Sequence, residues 1–474
     1  MTPEEFRAHG KQVVDWIADY LGSIEKHAVR SRAEPGAIRA ALPAHPPERG
    51  EPFGNVLADL GDVLLPGITH WQHPGFFAYF PANSSGPGIL GDLLSSGLGV
   101  QGMLWATSPA CTELETLVVD WLAELLGLPE RFRTTGAGGG VIQGSASEAS
   151  LVALLAALER VGGDRRERTV YVSSQTHSSL ERAARIAGVP VRTVRVDPDS
   201  LAMDAGHLAE LVAGDLDAGL VPAMVCATIG TTSTTAIDPV REIGEVCVRH
   251  GVWLHVDAAY AGVSAVCPEL RWINDGVAEY ADSYATNPHK WLLTNFDCGV
   301  LWLADSAPMI AALSTLPEYL RNPATSSGAV VDYRDWQIPL GRRFRALKLW
   351  SVIRWYGAEG LRKHIRAGVG LAAEFAALAV ADPGFEVRSH RPFGLVCFRP
   401  LWTERSVEGS NELTVELMER LNDSGTMYLS HTKVGDKVVL RMAFGAPATE
   451  SRHARSAWRR IREEYERMSS AANR

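Results

Sequence analysis

Near the start of the chain, apolar residues recur at every third or fourth position: Phe6, Val13, Val14, Ile17 and Leu21 form one stripe. That period predicts an amphipathic helix. Thr2 and Glu5 have the spacing of a capping box, and Pro3 stands at the first helical position, where its missing N–H costs nothing. A stretch containing Pro35, Pro43, Pro46, Pro47 and Pro52 follows and reads as an extended arm. A helix and arm of this size cannot bury their own stripe, so they must pack on the rest of the chain or on a second copy.

From about residue 110 to 305 the pattern becomes short β-branched apolar runs separated by helical stretches. The runs fall at 169–173, 190–196, 221–227, 252–256 and 299–303, with helices expected at 178–186 and 239–250. Such alternation predicts an α/β fold with a mainly parallel, doubly wound sheet. In these sheets ligands bind beyond the carboxyl ends of the strands, so chemistry is expected just after each run. Past Trp336 the pattern predicts helices at 342–355 and 361–380, strands at 394–399 and 437–444, and a charged helix at 450–468. This tail reads as a small α+β domain.

Composition narrows the class. The chain has 474 residues, 46% hydrophobic and 21% charged, which is ample for a sizeable core. Its formal net charge is −9, so it has no global attraction for phosphate backbones, and a nucleic-acid partner is not expected. No window approaches the roughly 18 apolar residues of a membrane span. Met1-Thr-Pro-Glu-Glu-Phe lacks the basic-then-apolar layout of a signal peptide. Cys111, Cys226, Cys247, Cys267, Cys298 and Cys397 form no C-x-x-C pair, which points to a reducing compartment and to no metal knuckle. A cytoplasmic enzyme is the expectation.

Three segments carry candidate chemistry. Gly136-Ala-Gly-Gly-Gly-Val-Ile-Gln-Gly144 fails the spacing of a dinucleotide fingerprint and lacks the lysine of a P-loop. Ser145-Ala-Ser-Glu148 then opens an apolar helix, either as an ordinary turn and cap or as a phosphate cradle on a helix N-terminus. Asp257, in His255-Val-Asp-Ala-Ala-Tyr, ends a strong strand and either caps the next segment or presents a carboxylate at the ligand face. Lys290, in Asn287-Pro-His-Lys-Trp, is either a surface lysine beside a buried tryptophan or an amine in a partly apolar site that can lose its proton and condense with an aldehyde. Cradle, strand-end carboxylate and lysine are together the parts that pyridoxal 5'-phosphate (PLP) needs.

Over nearly its whole length the chain resembles the aromatic-L-amino-acid decarboxylases, which are group II PLP-dependent decarboxylases. The resemblance lies in His73-Pro-Gly-Phe-Phe-Ala-Tyr-Phe-Pro81, Ser108-Pro-Ala-Cys-Thr-Glu-Leu-Glu115, Gly140-Val-Ile-Gln-Gly-Ser-Ala-Ser-Glu148, the Asp257 and Lys290 motifs, and Trp336-Gln-Ile-Pro-Leu-Gly-Arg-Arg-Phe-Arg345. It implies the aspartate-aminotransferase-like fold (fold type I): an N-terminal helical dimerisation segment at 1–85, a large PLP domain at 86–360 and a small C-terminal domain at 361–474. It implies a homodimer.

The resemblance also assigns roles. Lys290 bonds the cofactor, and Asp257 pairs with its ring nitrogen. Ala146 and Ser147 bind its phosphate, with Asn287 and His289 close by. His177 stacks on its ring, and Thr232 lines its site. Tyr319, in Pro317-Glu-Tyr-Leu, sits on an active-site loop and returns a proton to Cα. Tyr79, Phe80, Pro81, Ala82, Gln101, Met103 and Gly341 line the substrate pocket. Ala82 lacks the hydroxyl that the animal DOPA enzymes carry there. Gln101 and Met103 replace their Ile and Phe, and Gly341 leaves room for a large ring. The implied reaction converts tryptophan, phenylalanine, tyrosine, DOPA or 5-hydroxytryptophan to its amine and CO₂. The alternatives are an aromatic acetaldehyde synthase of the same family and a non-catalytic scaffold on the same fold.

Overall fold

A computed structural model describes residues 1–315, 323–326, 329–390, 392–403 and 405–472. The chain divides into two compact units. One comprises Met1–Pro81, Glu374–Arg388 and Cys397–Arg474, the other Ala82–Ala373 and Ser389–Val396.

The larger unit is built on seven strands: β1 (Gly139–Gln143), β2 (Arg168–Ser173), β3 (Val191–Val194), β4 (Val221–Thr228), β5 (Trp253–Asp257), β6 (Ser283–Thr286) and β7 (Gly299–Leu303). Their order is β1-β7-β6-β5-β4-β2-β3. Neighbours from β6 to β3 pair in parallel, while β7 is antiparallel to both β1 and β6. The expected mainly parallel sheet is therefore present, with β7 as its reversed strand. β1 and β6, which the apolar pattern did not reveal, complete it.

Apart from the edge strand β3, the strands are buried on both faces, as crossover helices require. The Ala146–Val161 helix packs Ala149, Val152, Ala153, Ala156 and Ala157 among Val141, Val170, Val172, Met224 and Leu301 of the sheet. Its alanines bring the helix axis close to the strands, and each fully buried Val or Leu contributes about 1.5–3 kcal/mol. The two helices expected near 342–380 form one run, Ala346–Val380, broken at Gly357 (φ 60°, ψ 178°). Residues 342–345, expected as its first turn, are not helical.

In the smaller unit the Pro3–Ser23 helix carries the full Thr2/Glu5 capping box. None of its residues is buried. The Pro-rich segment is not simply extended: it forms helical turns at Ala37–Ala41 and Phe53–Asp59. A second sheet contains β8 (Phe385–His390), β9 (Leu395–Pro400), β10 (Ser430–Val434) and β11 (Lys437–Ala443), in the order β10-β11-β9-β8. The Val407–Asp423 and Ser451–Ala472 helices accompany it. Among the described residues no helix is long and apolar enough to cross a membrane.

Candidate active site

The sheet register brings the candidate residues to one edge. Thr228 lies opposite Asp257, and Asp257 opposite Ala285, at the carboxyl ends of β4, β5 and β6. Because β7 runs the other way, its first residue, Gly299, reaches the same edge and pairs with Gln143 at the end of β1. Backbone bonds then stitch the post-strand turns together. The N–H of Ala258 donates to the Ala285 carbonyl at 2.9 Å, and that of Asn287 to the Ala259 carbonyl at 3.0 Å.

Asp257 is buried, and its carboxylate accepts the Ala259 N–H at 3.0 Å. It thus caps the next turn while keeping its charge at the ligand edge. Lys290 stands on the short Pro288–Trp291 helix after β6, with its N–H donating to the Asn287 carbonyl at 2.9 Å. Burial pushes the Lys290 ammonium below the usual lysine range, and the Asp257 carboxylate opposes that shift. The neighbouring His289 is buried, and its Nδ1 accepts the Cys298 N–H at 2.9 Å, so its proton resides on Nε2. Burial, aided by the Lys290 charge, lowers the His289 pKa to about 4.

His177 caps the Ser178–Ala187 helix, with Nδ1 accepting the Ser179 N–H at 3.2 Å and lying 2.8 Å from the Ser179 hydroxyl. Desolvation lowers its pKa. Asp257 opposes this, whereas Lys290 adds to it. His177, Asp257 and Lys290 therefore share one electrostatic neighbourhood.

The glycine-rich segment is both strand and cradle. Ser145 caps the Ala146–Val161 helix by accepting the Glu148 N–H at 3.3 Å. Glu148 reaches back to the Gly144 N–H at 2.8 Å, one residue before the position that a full capping box would use. Ala146 and Ser147 occupy the first turn, where N–H groups have no intrahelical acceptor. A Cβ at Gly299 would fall 2.8 Å from Asn287 Oδ1 and 3.5 Å from the Ala146 nitrogen. Glycine there leaves a recess between the helix N-terminus and Asn287, whose buried Oδ1 has no hydrogen-bond partner among the described residues. Thr232 is exposed in the turn after β4.

Gln101 and Gly341 are also neighbours. A Cβ at Gly341 would meet Gln101 Nε2 at 3.4 Å. The Met103 carbonyl accepts the Arg334 N–H at 3.0 Å, so the 101–103 segment runs along the 334–342 loop. Ala82 is partly buried in this larger unit and Tyr79, Phe80 and Pro81 belong to the smaller one. There Tyr79 donates its N–H to Ser430 Oγ at 3.1 Å, and Arg441 lies over the Phe80 ring at 5.2 Å. Tyr319 lies outside the described residues.

Glu115, Gln337 and Arg342 lie within the motifs that carry the family resemblance, which assigns them no role. Arg342 forms a buried ion pair with Glu115, donates to Gln337 Oε1 at 2.7 Å and stacks over the Tyr333 ring at 4.8 Å. No local signal singles them out, because the same motifs hold other polar residues such as Glu113, Arg343 and Arg345.

Comparison with known proteins agrees with this geometry. Residues 35–400 match the pyridoxal-dependent decarboxylase conserved domain. The chain is 50% identical over 473 residues to phenylacetaldehyde synthase of Arabidopsis thaliana, covering 98% of this chain and 96% of that one. It is 46% identical over 473 residues to tryptophan decarboxylase 2 of Oryza sativa subsp. japonica, covering 98% and 95%. The crystal structure of Oryza sativa TDC with PLP and tryptamine superposes with a TM-score of 0.96 at 43% identity, over 99% of each chain.

Proposed function

Since the chain belongs to the pyridoxal-dependent decarboxylase family, we propose that it removes the carboxyl group of an aromatic L-amino acid as CO₂ and releases the amine. Tryptophan, phenylalanine, tyrosine, DOPA and 5-hydroxytryptophan form the substrate class. The observation that carries the reading is the Asp257–Lys290 pair at one sheet edge, beside a helix N-terminus with a glycine-lined recess.

PLP is the cofactor of this family, and the residues fit it. Lys290, with its depressed pKa, would hold the aldehyde carbon, and Asp257 the ring nitrogen. Ala146 and Ser147 would hold the phosphate with their N–H groups, beside the unsatisfied carboxamide of Asn287 and beside His289. His177 would cover the ring face, and Thr232 would line the site. When bound, PLP withdraws electrons from the substrate Cα, so that the carboxylate can leave as CO₂.

The protein's own tasks are orientation, exclusion of water and return of a proton. Asp257 is held in place by the Ala259 N–H and keeps a negative charge where the ring nitrogen needs one. The lowered pKa of Lys290 leaves a larger fraction of its amine unprotonated and nucleophilic. Tyr319 is the proposed donor to Cα, and Ala82, Gln101, Met103, Gly341, Tyr79, Phe80 and Pro81 the proposed pocket. The working form is read as a homodimer joined through residues 1–85, because the N-terminal helix leaves Phe6, Val14 and Leu21 of its stripe exposed. A cytoplasmic site is supported by six buried cysteines, none of them joined in a disulfide.

An aromatic acetaldehyde synthase is the second reading, kept because a phenylacetaldehyde synthase is among the relatives at 50% identity. The tyrosine hydroxyl at position 319 supports the amine product instead. A scaffold that has lost its chemistry is disfavoured by the retained Lys290, Asp257 and His177. The deciding experiment supplies purified protein with PLP and each protein amino acid, DOPA and 5-hydroxytryptophan, and measures CO₂ and amine. Borohydride reduction and peptide mapping should place the pyridoxyl group on Lys290. CO₂ from glutamate or histidine alone, or a label on another lysine, would sink the reading.

A further inference from the structure

The wall formed by Gln101 and Gly341 has a fixed polarity. The Arg342 N–H donates to Gln101 Oε1 at 2.5 Å, which decides which end of the carboxamide is oxygen. Gln101 Nε2 is consequently the atom turned to Gly341, 3.4 Å from where a Cβ there would stand. Nε2 has no hydrogen-bond partner among the described residues, and Gln101 is exposed.

This orientation is held by a buried frame. Arg342 is pinned by Glu115, by Gln337 Oε1 and by the Ile142 carbonyl, while Glu115 accepts the Ile142 N–H at 2.8 Å. Gln337 Nε2 in turn donates to the carbonyls of Pro339 and Gly341 at 2.5 and 3.2 Å. On the other side, Gln101's own carbonyl accepts the Thr107 hydroxyl at 2.8 Å. The frame rests on β1 through the N–H and carbonyl of Ile142. A carboxamide held this way costs little further ordering when a ligand arrives.

We propose that Gln101 is a specificity-determining residue: its Nε2 donates a hydrogen bond to an oxygen on the substrate's aromatic ring. The space left by Gly341 admits that oxygen. Ring-oxygenated aromatic amino acids are then favoured over their unsubstituted parents. The amide on this wall supplies a polar contact that Ala82 cannot. The inference rests on the decarboxylase reading and its aromatic substrate.

The test uses the PLP-loaded protein with phenylalanine and with O-methyl-tyrosine, whose ring oxygen can only accept. Gln101→Glu keeps an oxygen for the Arg342 N–H and replaces the donor by an acceptor. The ratio of kcat/KM for O-methyl-tyrosine over phenylalanine should fall about tenfold or more in this variant, the size of one lost hydrogen bond. The fall should reside in KM, because the contact is the same in ground and transition states. An unchanged ratio overturns the proposal. Gly341→Ser separates the causes. If it alone alters the ratio, the wall lines the substrate but Gln101 is not the donor. If neither variant alters it, the wall assignment falls as well. If wild type yields CO₂ from tryptophan but from neither compound, the proposal falls and the decarboxylase reading stands; CO₂ from no aromatic amino acid sinks both.

Discussion

Asp257 and Lys290 oppose one another's surroundings: burial drives the lysine toward its neutral form, and the carboxylate partly restores its charge. The pair thus keeps one negative group fixed and one amine poised. Asp257→Asn preserves size and removes the anion. A kcat loss on the order of 10²-fold or more, about 2.7 kcal/mol, is expected at saturating PLP, in line with removal of one electrostatic stabiliser. Near-wild-type kcat in the saturated variant would remove Asp257 from its assigned role.

The N-terminal helix presents Phe6, Val14 and Leu21 at 60, 44 and 38% exposure. In the other unit, the Gly86–Leu98 helix exposes Leu90, Leu93, Leu94 and Leu98. Apolar surface of this kind marks an interface. Sedimentation should therefore show a dimer, and the double variant Phe6→Glu, Val14→Glu should shift it toward monomer with loss of activity. Deleting residues 1–80 should give insoluble or inactive protein. A fully active wild-type monomer at assay concentration would contradict the dimer.

Local patterning made some elements legible and long-range packing hid others. The run expected at 299–303 is β7 itself, because its residues are all apolar apart from Gly299 and flanked by breakers. By contrast, β1 was read only as a glycine-rich cradle. A Cβ at Gly138 would lie 2.3 Å from the Leu303 carbonyl, and one at Gly140 2.6 Å from the Trp302 ring. These glycines serve close strand packing against residues more than 150 positions away, which no local pattern reveals. The same limit applies to the site. The Lys290 and Asp257 motifs were visible as residue types at strand ends, whereas the recess at Gly299 and the frame around Arg342 depend on segments distant in sequence.

Three histidines of the larger unit set an acid limit on stability. Burial lowers His255, His289 and His364 to about 4 from an ordinary 6.5. Between these values the unfolded chain binds protons that the native protein refuses. Stability is then full above about pH 6.5 and falls as pH drops toward 4, by up to about 1.4 kcal/mol per pH unit for each histidine. Urea unfolding at pH 7, 6 and 5 should show this slope before most carboxylates titrate. His255 lies 2.8 Å from the Ser283 hydroxyl through Nδ1, and its Nε2 has no partner among the described residues. His255→Gln should lower the slope by about one proton. Equal stability at pH 7 and 5 would refute the assignment.

After CO₂ leaves, the substrate Cα has two fates. A proton delivered there gives the amine. Reaction with O₂ and water instead gives the aldehyde, ammonia and hydrogen peroxide. Tyr319 decides between them if its phenol is the proton donor, and the second reading of the function rests on the same choice. Tyr319→Phe keeps the ring and removes only the hydroxyl, so substrate affinity should change little. Amine release should slow and peroxide should rise, because the reacting carbon waits longer for its proton. CO₂, amine and peroxide must be measured together on one preparation. Wild type yielding about one peroxide per CO₂ would make the protein an aldehyde synthase. A Tyr319→Phe variant with unchanged amine output would leave the decarboxylase reading standing and require another donor, with His177 the next candidate because its electrostatic neighbourhood is that of Lys290 and Asp257.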